Sequence, residues 1–279
     1  MNYLQRGLRR TLQAIRKHKF LFCSIMLLQI IFIVLFAWLG VSSVVEILEN
    51  TRAIIEPFSN ATYDAQKIQE GTPFTGDFRS IYNNYNSMLE NIKFFALKSL
   101  IVFIIGSGLL WLGTFSLLEE KRGWKKKVQK ALQFWFKMIV SAVLFFGPFL
   151  VLAYYILLRF IHGSSESFQD VILLVKVLMA VLVLIYYFFL TALAIANEVS
   201  WKKHARTWIL ISFAKIKQTF PLFIIILAAL SLSSLALYAA IIYEQSIALL
   251  LVTGLLEITT IVITRLFWVA SIYELKNEP

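Results

Sequence analysis

The chain consists largely of long apolar stretches, which are separated by shorter segments that carry most of its charged residues. A membrane-spanning helix needs about 20 mostly apolar residues, and six of the stretches reach that length. Their approximate bounds are 20–45, 99–118, 138–158, 171–196, 218–243 and 246–270. The pattern predicts an all-α, polytopic integral membrane protein whose six transmembrane helices form a single membrane domain over residues 1–279.

The composition is that of a membrane protein. Hydrophobic residues make up 59% and charged residues 15% of the 279 residues, whereas a soluble domain carries roughly 25% charged residues. The single cysteine, Cys23, excludes an intramolecular disulfide. The histidines lack metal-ligand spacing, and the chain has no phosphate-binding loop, nucleophile elbow or pair of catalytic carboxylates. We therefore expect no enzyme activity, no catalytic residues, no metal and no cofactor.

Lysine and arginine are concentrated in alternate connections between the apolar stretches. They cluster before the first stretch, between the second and third, and between the fourth and fifth, whereas the segment after the first stretch is mainly acidic. Because basic connections stay on the cytoplasmic side, this distribution predicts a multi-pass protein of the cytoplasmic (plasma) membrane with both termini cytoplasmic. The segment Met1–Lys19 also fits a mitochondrial targeting sequence, but a cytoplasmic flank accounts for all three clusters.

Each basic cluster contains a similar short segment just before an apolar stretch. These segments are Arg6-Gly7-Leu8-Arg9-Arg10, Arg122-Gly123-Trp124-Lys125-Lys126 and Trp201-Lys202-Lys203. In a helix, each segment places apolar residues on one face and basic residues elsewhere, which is typical of a helix lying in the membrane interface. The order predicts three helical hairpins, each preceded by a basic amphipathic interfacial helix.

The basic segments are candidates for binding anionic lipid headgroups. We assign a lipid- or interface-binding role to Arg9, Arg10, Trp124, Lys125, Lys126, Trp201, Lys202 and Lys203. A membrane or cytoplasmic protein partner is an alternative, and a topological anchor with no further role is another. Nucleic-acid binding is disfavoured, because lipid phosphate lies next to these charges and satisfies them.

The segment 46–93 is the one sizeable connection on the extracytoplasmic side. Its middle is rich in turn-forming residues, and its end has apolar residues at helical spacing. We expect the first two spans to continue outward as helices, so that this loop is partly helical. Asn60-Ala61-Thr62 matches a glycosylation acceptor, with Asn60 as the candidate site.

The sixth stretch carries a polar stripe, formed at helical spacing by Thr253, Glu257, Thr260 and Thr264. Glu257 lies near the middle of the span, and Lys176 of the fourth span can reach a similar depth. Intramembrane ionisable groups mark ion or substrate paths often enough to be a candidate site. Glu257 is therefore a hydrogen-bonded structural residue, a proton- or cation-coupled site, or a lipid-headgroup contact. Arg265 is expected to extend to the cytoplasmic surface.

The fifth and sixth spans are expected to be antiparallel neighbours, because only a three-residue turn separates them. The fifth span has small residues on one face, at Ala229, Ser233, Ala236 and Ala240. Such a face allows a neighbouring helix to approach closely. The sixth span is therefore expected to pack on it.

The layout and one segment resemble the YciC-like family of six-span membrane proteins, which is related to the membrane domain of some glycerophosphodiester phosphodiesterases. The segment is Trp201–Phe220, in which Trp-Lys-Lys-His-Ala-Arg-Thr-Trp is followed by Lys-Gln-Thr-Phe-Pro. The resemblance implies an inner-membrane protein without assigned catalytic residues. Together these features predict a structural or accessory membrane protein that binds lipid or a partner. The alternative is a transporter or permease subunit that uses the polar stripe.

Overall fold

The computed structural model describes residues 2–59, 78–118, 124–162, 168–197, 200–243 and 246–277. This part of the chain is helical and contains no strand, which confirms the predicted all-α class. The helices are α1 (Asn2–Lys17), α2 (Lys19–Ser59), α3 (Phe78–Leu118), α4 (Trp124–His162), α5 (Phe168–Ala194), α6 (Trp201–Ile209), α7 (Ile216–Ile242) and α8 (Ile247–Lys276), with a π-helix (Leu210–Ala214) between α6 and α7.

Six of these helices are long and apolar enough to cross a membrane, as the apolar stretches predict. They contain Lys19–Glu56, Arg79–Leu118, Ala131–Leu152, Ile172–Ala194, Ile216–Ile242 and Ile247–Lys276. The most apolar windows of these helices have mean hydropathies from 2.0 to 2.8, and at most a third of each window is buried within the chain. Apolar side chains that the chain leaves uncovered need a nonaqueous environment, which a bilayer supplies.

The chain divides into two compact units. The smaller unit, Ile30–Ser107, contains most of α2 and α3. Both helices extend well beyond the predicted spans, so α2 includes the start of the segment 46–93 and α3 includes its end. The helices touch where the Thr51 hydroxyl lies 3.5 Å from the Met88 sulfur. The candidate glycosylation site, Asn60, lies outside the described residues.

The larger unit comprises Met1–Gln29 and Gly108–Pro279. Its buried side chains gather at one end, which we call the base. The base is formed by α1, the ends of α3, α5 and α8, the first half of α4, α6, the π-helix and the start of α7. In α8 the buried side chains are concentrated between Val262 and Leu275, whereas Leu251 and Leu255 are exposed. One half of this helix therefore belongs to a packed core, and the other half presents apolar side chains outward.

The end of α5 is anchored in the base by side chains from three other helices. The last carbonyl groups of a helix lack partners within the helix, and here four side chains donate hydrogen bonds near that end. The bonds run from Trp208 Nε1 to Phe188 O (3.1 Å), Trp268 Nε1 to Leu190 O (3.1 Å), His204 Nδ1 to Ile195 O (3.2 Å) and Lys137 Nζ to Ala196 O (3.1 Å). Lys137 is only 1% exposed, and its charge favours the negative end of the helix dipole.

Tyr187 is the centre of the base. Its hydroxyl donates to the Ser212 carbonyl at 3.2 Å and is also hydrogen-bonded to Thr219. Its ring contacts Phe223 and Trp268 edge-on, with centroid distances of 5.4 and 6.4 Å. Ser212 lies in the π-helix, where the wider turn alters the direction of backbone groups. The hydroxyl thus fixes α5 to the junction between the π-helix and α7.

Candidate functional site

The amphipathic helix α1 packs against the end of α8. Tyr3, Gly7, Thr11 and Ala14 are buried and recur at helical spacing, so they form one docked face. Gly7 makes the closest approach, since a Cβ at this position would overlap Ser271 Oγ and lie 3.0 Å from Ser271 Cα. The docked face therefore depends on the absence of a side chain at Gly7.

Polar contacts fix the orientation of α1. Glu274 of α8 pairs with two arginines, through Arg6 Nε at 3.4 Å and Arg10 Nη1 at 3.1 Å. The Arg10 guanidinium also lies over the Tyr273 ring, 5.3 Å from its centroid. The Tyr3 hydroxyl donates to the Gln218 carbonyl of α7 at 2.9 Å. The charge of Arg10, a predicted lipid-binding residue, is thus engaged within the protein.

A second flank of α1 remains exposed. Leu8 and Leu12 are 49% and 47% exposed, although they lie one turn apart on the apolar face of this amphipathic helix. They line a shallow surface groove together with Gln5, Arg9, Gln13 and Arg16. Arg9 therefore lies beside exposed leucines rather than at the Glu274 ion pairs.

The third basic segment forms the start of α6. Trp201, Lys202 and Lys203 are exposed. The Trp201 ring packs edge-on against Phe136, with a centroid distance of 5.7 Å, and lies 5.9 Å from Lys137 Nζ. Aromatic side chains beside lysines are common where a protein meets the headgroup region.

The second basic segment begins α4, which places Trp124, Lys125 and Lys126 in the first turn of that helix. Their side chains lie outside the described part of the structure. The arrangement of this segment relative to the other two stays a prediction.

The end of α6 and the π-helix present an exposed apolar surface that the sequence pattern does not predict. Ile209, Leu210 and Phe213 are about half exposed, directly after the basic residues of α6. The opposite side of the same turn carries the buried residues Ile211 and Ser212. A period of 3.6 residues does not predict which of these side chains are exposed and which are buried, because the π-helix has a wider turn.

The polar stripe of α8 is largely satisfied within its own helix. The threonine hydroxyls donate to backbone carbonyls one turn earlier, from Thr253 to Leu249 (2.9 Å), from Thr260 to Leu256 (2.8 Å) and from Thr264 to Thr260 (2.7 Å). This is the usual arrangement for threonine inside an apolar helix. The hydroxyl donors are therefore not available to line a polar path.

Glu257 makes one interhelical hydrogen bond. Its Oε1 accepts from the Ser234 hydroxyl of α7 at 2.9 Å, beside the small residue Ser233, which is buried as the small face predicts. Its Oε2 is buried and has no hydrogen-bond partner among the described residues. Lys176 is exposed, and the ion pairs of the described residues do not join it to Glu257.

Arg265 has a partner that sequence reasoning missed. Its Nη2 donates to Gln29 Oε1 of α2 at 3.3 Å, and Gln29 is only 5% exposed. Arg265 Nε is buried without a hydrogen-bond partner among the described residues. The side chain therefore points to an amide inside the bundle rather than along its own helix to the surface. The sequence feature that could have indicated this contact is Gln29, a polar residue within the first apolar stretch.

His204 is the buried titratable group of α6. Burial lowers its pKa, and the nearby charge of Lys137 lowers it further, while the hydrogen bond to the Ile195 carbonyl opposes both. The imidazole is therefore neutral at pH 7 and serves as a donor to α5. Within the described residues no group of three or more His, Cys, Asp or Glu side chains could hold a metal ion.

Comparison of the chain with protein-family models, with curated proteins and with solved structures found no match.

Proposed function

We propose that this protein is a structural or accessory component of the cytoplasmic membrane, with both termini cytoplasmic, and that it binds anionic lipid headgroups at that surface. The proposal is supported most directly by α1, whose two flanks face different surroundings. One flank is docked on α8 through Gly7, and the other presents Leu8 and Leu12 beside Arg9. A helix held in this way can insert leucines into the lipid while its arginines contact headgroups.

The exposed part of α6 supports the same proposal. Trp201 and two lysines precede the apolar surface of the π-helix, so basic and apolar side chains again lie next to each other. Each basic residue near an anionic leaflet contributes about 1 kcal/mol to membrane binding. Arg9 and Arg16 together should therefore contribute about 2 kcal/mol, which corresponds to roughly 30-fold in affinity for a bound lipid.

Native mass spectrometry of the purified protein tests this proposal. Protein released from mixed micelles of phosphatidylglycerol and phosphatidylcholine should retain phosphatidylglycerol preferentially. The double variant Arg9→Gln/Arg16→Gln should lose most of that preference. Arg52→Gln/Lys93→Gln is the matched control, because both of these cations are exposed and belong to the smaller unit. Equal retention by the two double variants would contradict the assignment to α1.

A transport function is the second candidate, and Glu257 Oε2 favours it as a buried polar atom without a partner near the middle of a span. The threonine hydroxyls bonded within α8 favour a structural role instead. The variant Glu257→Gln distinguishes transport from a structural role. Its amide oxygen can still accept a hydrogen bond from the Ser234 hydroxyl, whereas the titratable group is lost. A transporter would lose pH-dependent uptake in proteoliposomes, whereas an accessory protein would keep its stability and lipid retention.

A further inference from the structure

We propose that Arg265 and Gln29 form an intramembrane binding site for an anionic group with paired oxygens, a carboxylate or a phosphate. This site is separate from the basic segments and does not depend on their role in lipid binding. It joins α8 to α2 inside the larger unit, through residues 236 positions apart.

The guanidinium of Arg265 is only partly satisfied in the structure. Arginine carries five N–H donors in a planar fork, and one of its nitrogens, Nη2, donates to Gln29 Oε1 at 3.3 Å. That distance is long for a charged donor, since such bonds are typically about 2.7–2.9 Å. Nε is buried and has no partner among the described residues. An edge of the guanidinium is therefore free to bind an acceptor.

Among the described residues, neither carboxylate of α8 is paired with Arg265. Tyr186 is the titratable group that interacts with it electrostatically, and a phenol is neutral at pH 7. Glu257 lies two turns away, about 12 Å along the axis of α8 at about 1.5 Å per residue, and accepts from Ser234 instead. Glu274 is paired with the arginines of α1. Among the described residues, then, the guanidinium lacks a counter-ion.

Gln29 adds a second donor to the site. Its Oε1 accepts from Arg265, and the same amide group carries an NH2 with two further N–H donors. That nitrogen makes no hydrogen bond within the described residues. The guanidinium and this NH2 are both donors, a combination that matches an acceptor with two oxygens rather than a cation or a neutral donor.

The depth of the site makes an unoccupied state costly. The sixth span is predicted to end near residue 270, so Arg265 lies about 8 Å inside that end at about 1.5 Å per residue, within a hydrocarbon core that is about 30 Å thick. Arginines at this depth pair with other groups or face a polar cavity. A bound anion would neutralise the guanidinium and join α2 to α8.

The anion can come from two sources, which share this chemistry. It is either the head of a membrane-resident amphiphile or a small water-soluble anion. Four probes distinguish the sources when thermal unfolding of the purified protein is followed in a neutral detergent. Oleate and phosphatidic acid represent the amphiphiles, whereas succinate and inorganic phosphate represent the soluble anions.

We expect one of these two classes to raise the unfolding temperature of the wild-type protein in a saturable manner. Arg265→Gln should weaken that response about tenfold or more, because it removes a charge-assisted hydrogen bond. Gln29→Met keeps the charge and the volume but removes the second donor, so it should weaken the response by a smaller factor. Lys176→Gln is the matched control, since it removes an exposed cation from another span and should respond as the wild type does.

Gln29→Glu gives a test that does not require loss of the arginine. The new carboxylate would lie beside Arg265 and occupy the site from within. We expect this variant to unfold at a higher temperature than the wild type without any probe and to respond to none of the four. The proposal is overturned if no probe stabilises the wild type, or if Gln29→Glu or Arg265→Gln responds as the wild type does.

Discussion

Gly7 offers a direct test of how α1 is held on the base. Replacement by alanine adds a Cβ that would overlap Ser271 Oγ and lie 3.0 Å from the Ser271 Cα. The second contact involves backbone, so rotation of the serine side chain cannot relieve it. We therefore expect Gly7→Ala to push α1 away from α8.

The expected magnitude follows from comparison with a second glycine. Alanine in place of glycine inside a helix is favourable by about 1 kcal/mol, whereas overfilling a packed contact costs about 1–3 kcal/mol. At Gly254 a new Cβ would have no atom within 4 Å, so Gly254→Ala should gain the helix preference of alanine without any cost from overfilling. Both variants gain the same helix preference of alanine, so this contribution cancels when their free energies of unfolding are compared. Gly7→Ala should therefore be less stable than Gly254→Ala by about 1–3 kcal/mol.

Unfolding of the purified variants in detergent, followed by circular dichroism, measures this difference. Cross-linking of a Tyr3→Cys/Gln218→Cys background with a bifunctional thiol reagent that spans the length of a tyrosine side chain reports docking independently, because the Tyr3 hydroxyl reaches the Gln218 carbonyl in the wild type. Gly7→Ala should reduce both stability and cross-linking. If Gly7→Ala has the same stability and the same cross-linking as Gly254→Ala, the proposed dependence of docking on the close approach of Gly7 to Ser271 is wrong.

A rescue experiment tests the cause. Ser271 Oγ is buried and has no hydrogen-bond partner among the described residues, so Ser271→Ala should cost little by itself. In the double variant Gly7→Ala/Ser271→Ala the nearest atom to the new Cβ is gone. The double variant should recover part of the lost stability and cross-linking. If the effects of the two single substitutions instead simply add, the two residues are not in direct contact.

Three further predictions concern the base. Lys137→Met should destabilise the protein by about 1–3 kcal/mol in thermal unfolding, because the Ala196 carbonyl loses its buried donor. Glu274→Gln should cost less than about 1 kcal/mol, and the loss should shrink in 1 M salt, because the paired side chains are 22–46% exposed. The pKa of His204 is lower in the folded protein than its ordinary 6.5, so its protonation favours unfolding. Stability should thus be constant above pH 6.5 and fall as the pH decreases below it, whereas His204→Gln should flatten this dependence.

The spans were predictable because a bilayer imposes a length on any apolar helix, and that length is visible in a single sequence. The continuation of α2 and α3 beyond the spans was predictable for a similar reason, since apolar residues at helical spacing extend past the apolar stretches. These properties are local, so they do not require knowledge of which helices meet.

The contacts of the base were not predictable in the same way. The amphipathic pattern of α1 marks Leu8 and Leu12, yet the docked face contains Gly7, whose role is to be small. Lys137 belongs to a basic cluster that indicates topology, but its burial depends on where α5 ends. The contact between Gln29 and Arg265 joins the first span to the last, and periodicity within either span says nothing about such a pair.

The docking of α1 on α8 has a consequence for the biogenesis of the protein. Arg10 and Glu274 are 264 positions apart, so at about 5–20 residues per second the ribosome needs roughly 13–50 s between the two. Until then α1 has no α8 to bind, and its docked face must be sheltered by the membrane surface or by a chaperone. Closure of the base thus waits for the synthesis of α8, and a nascent chain that lacks α8 leaves the docked face of α1 without its partner.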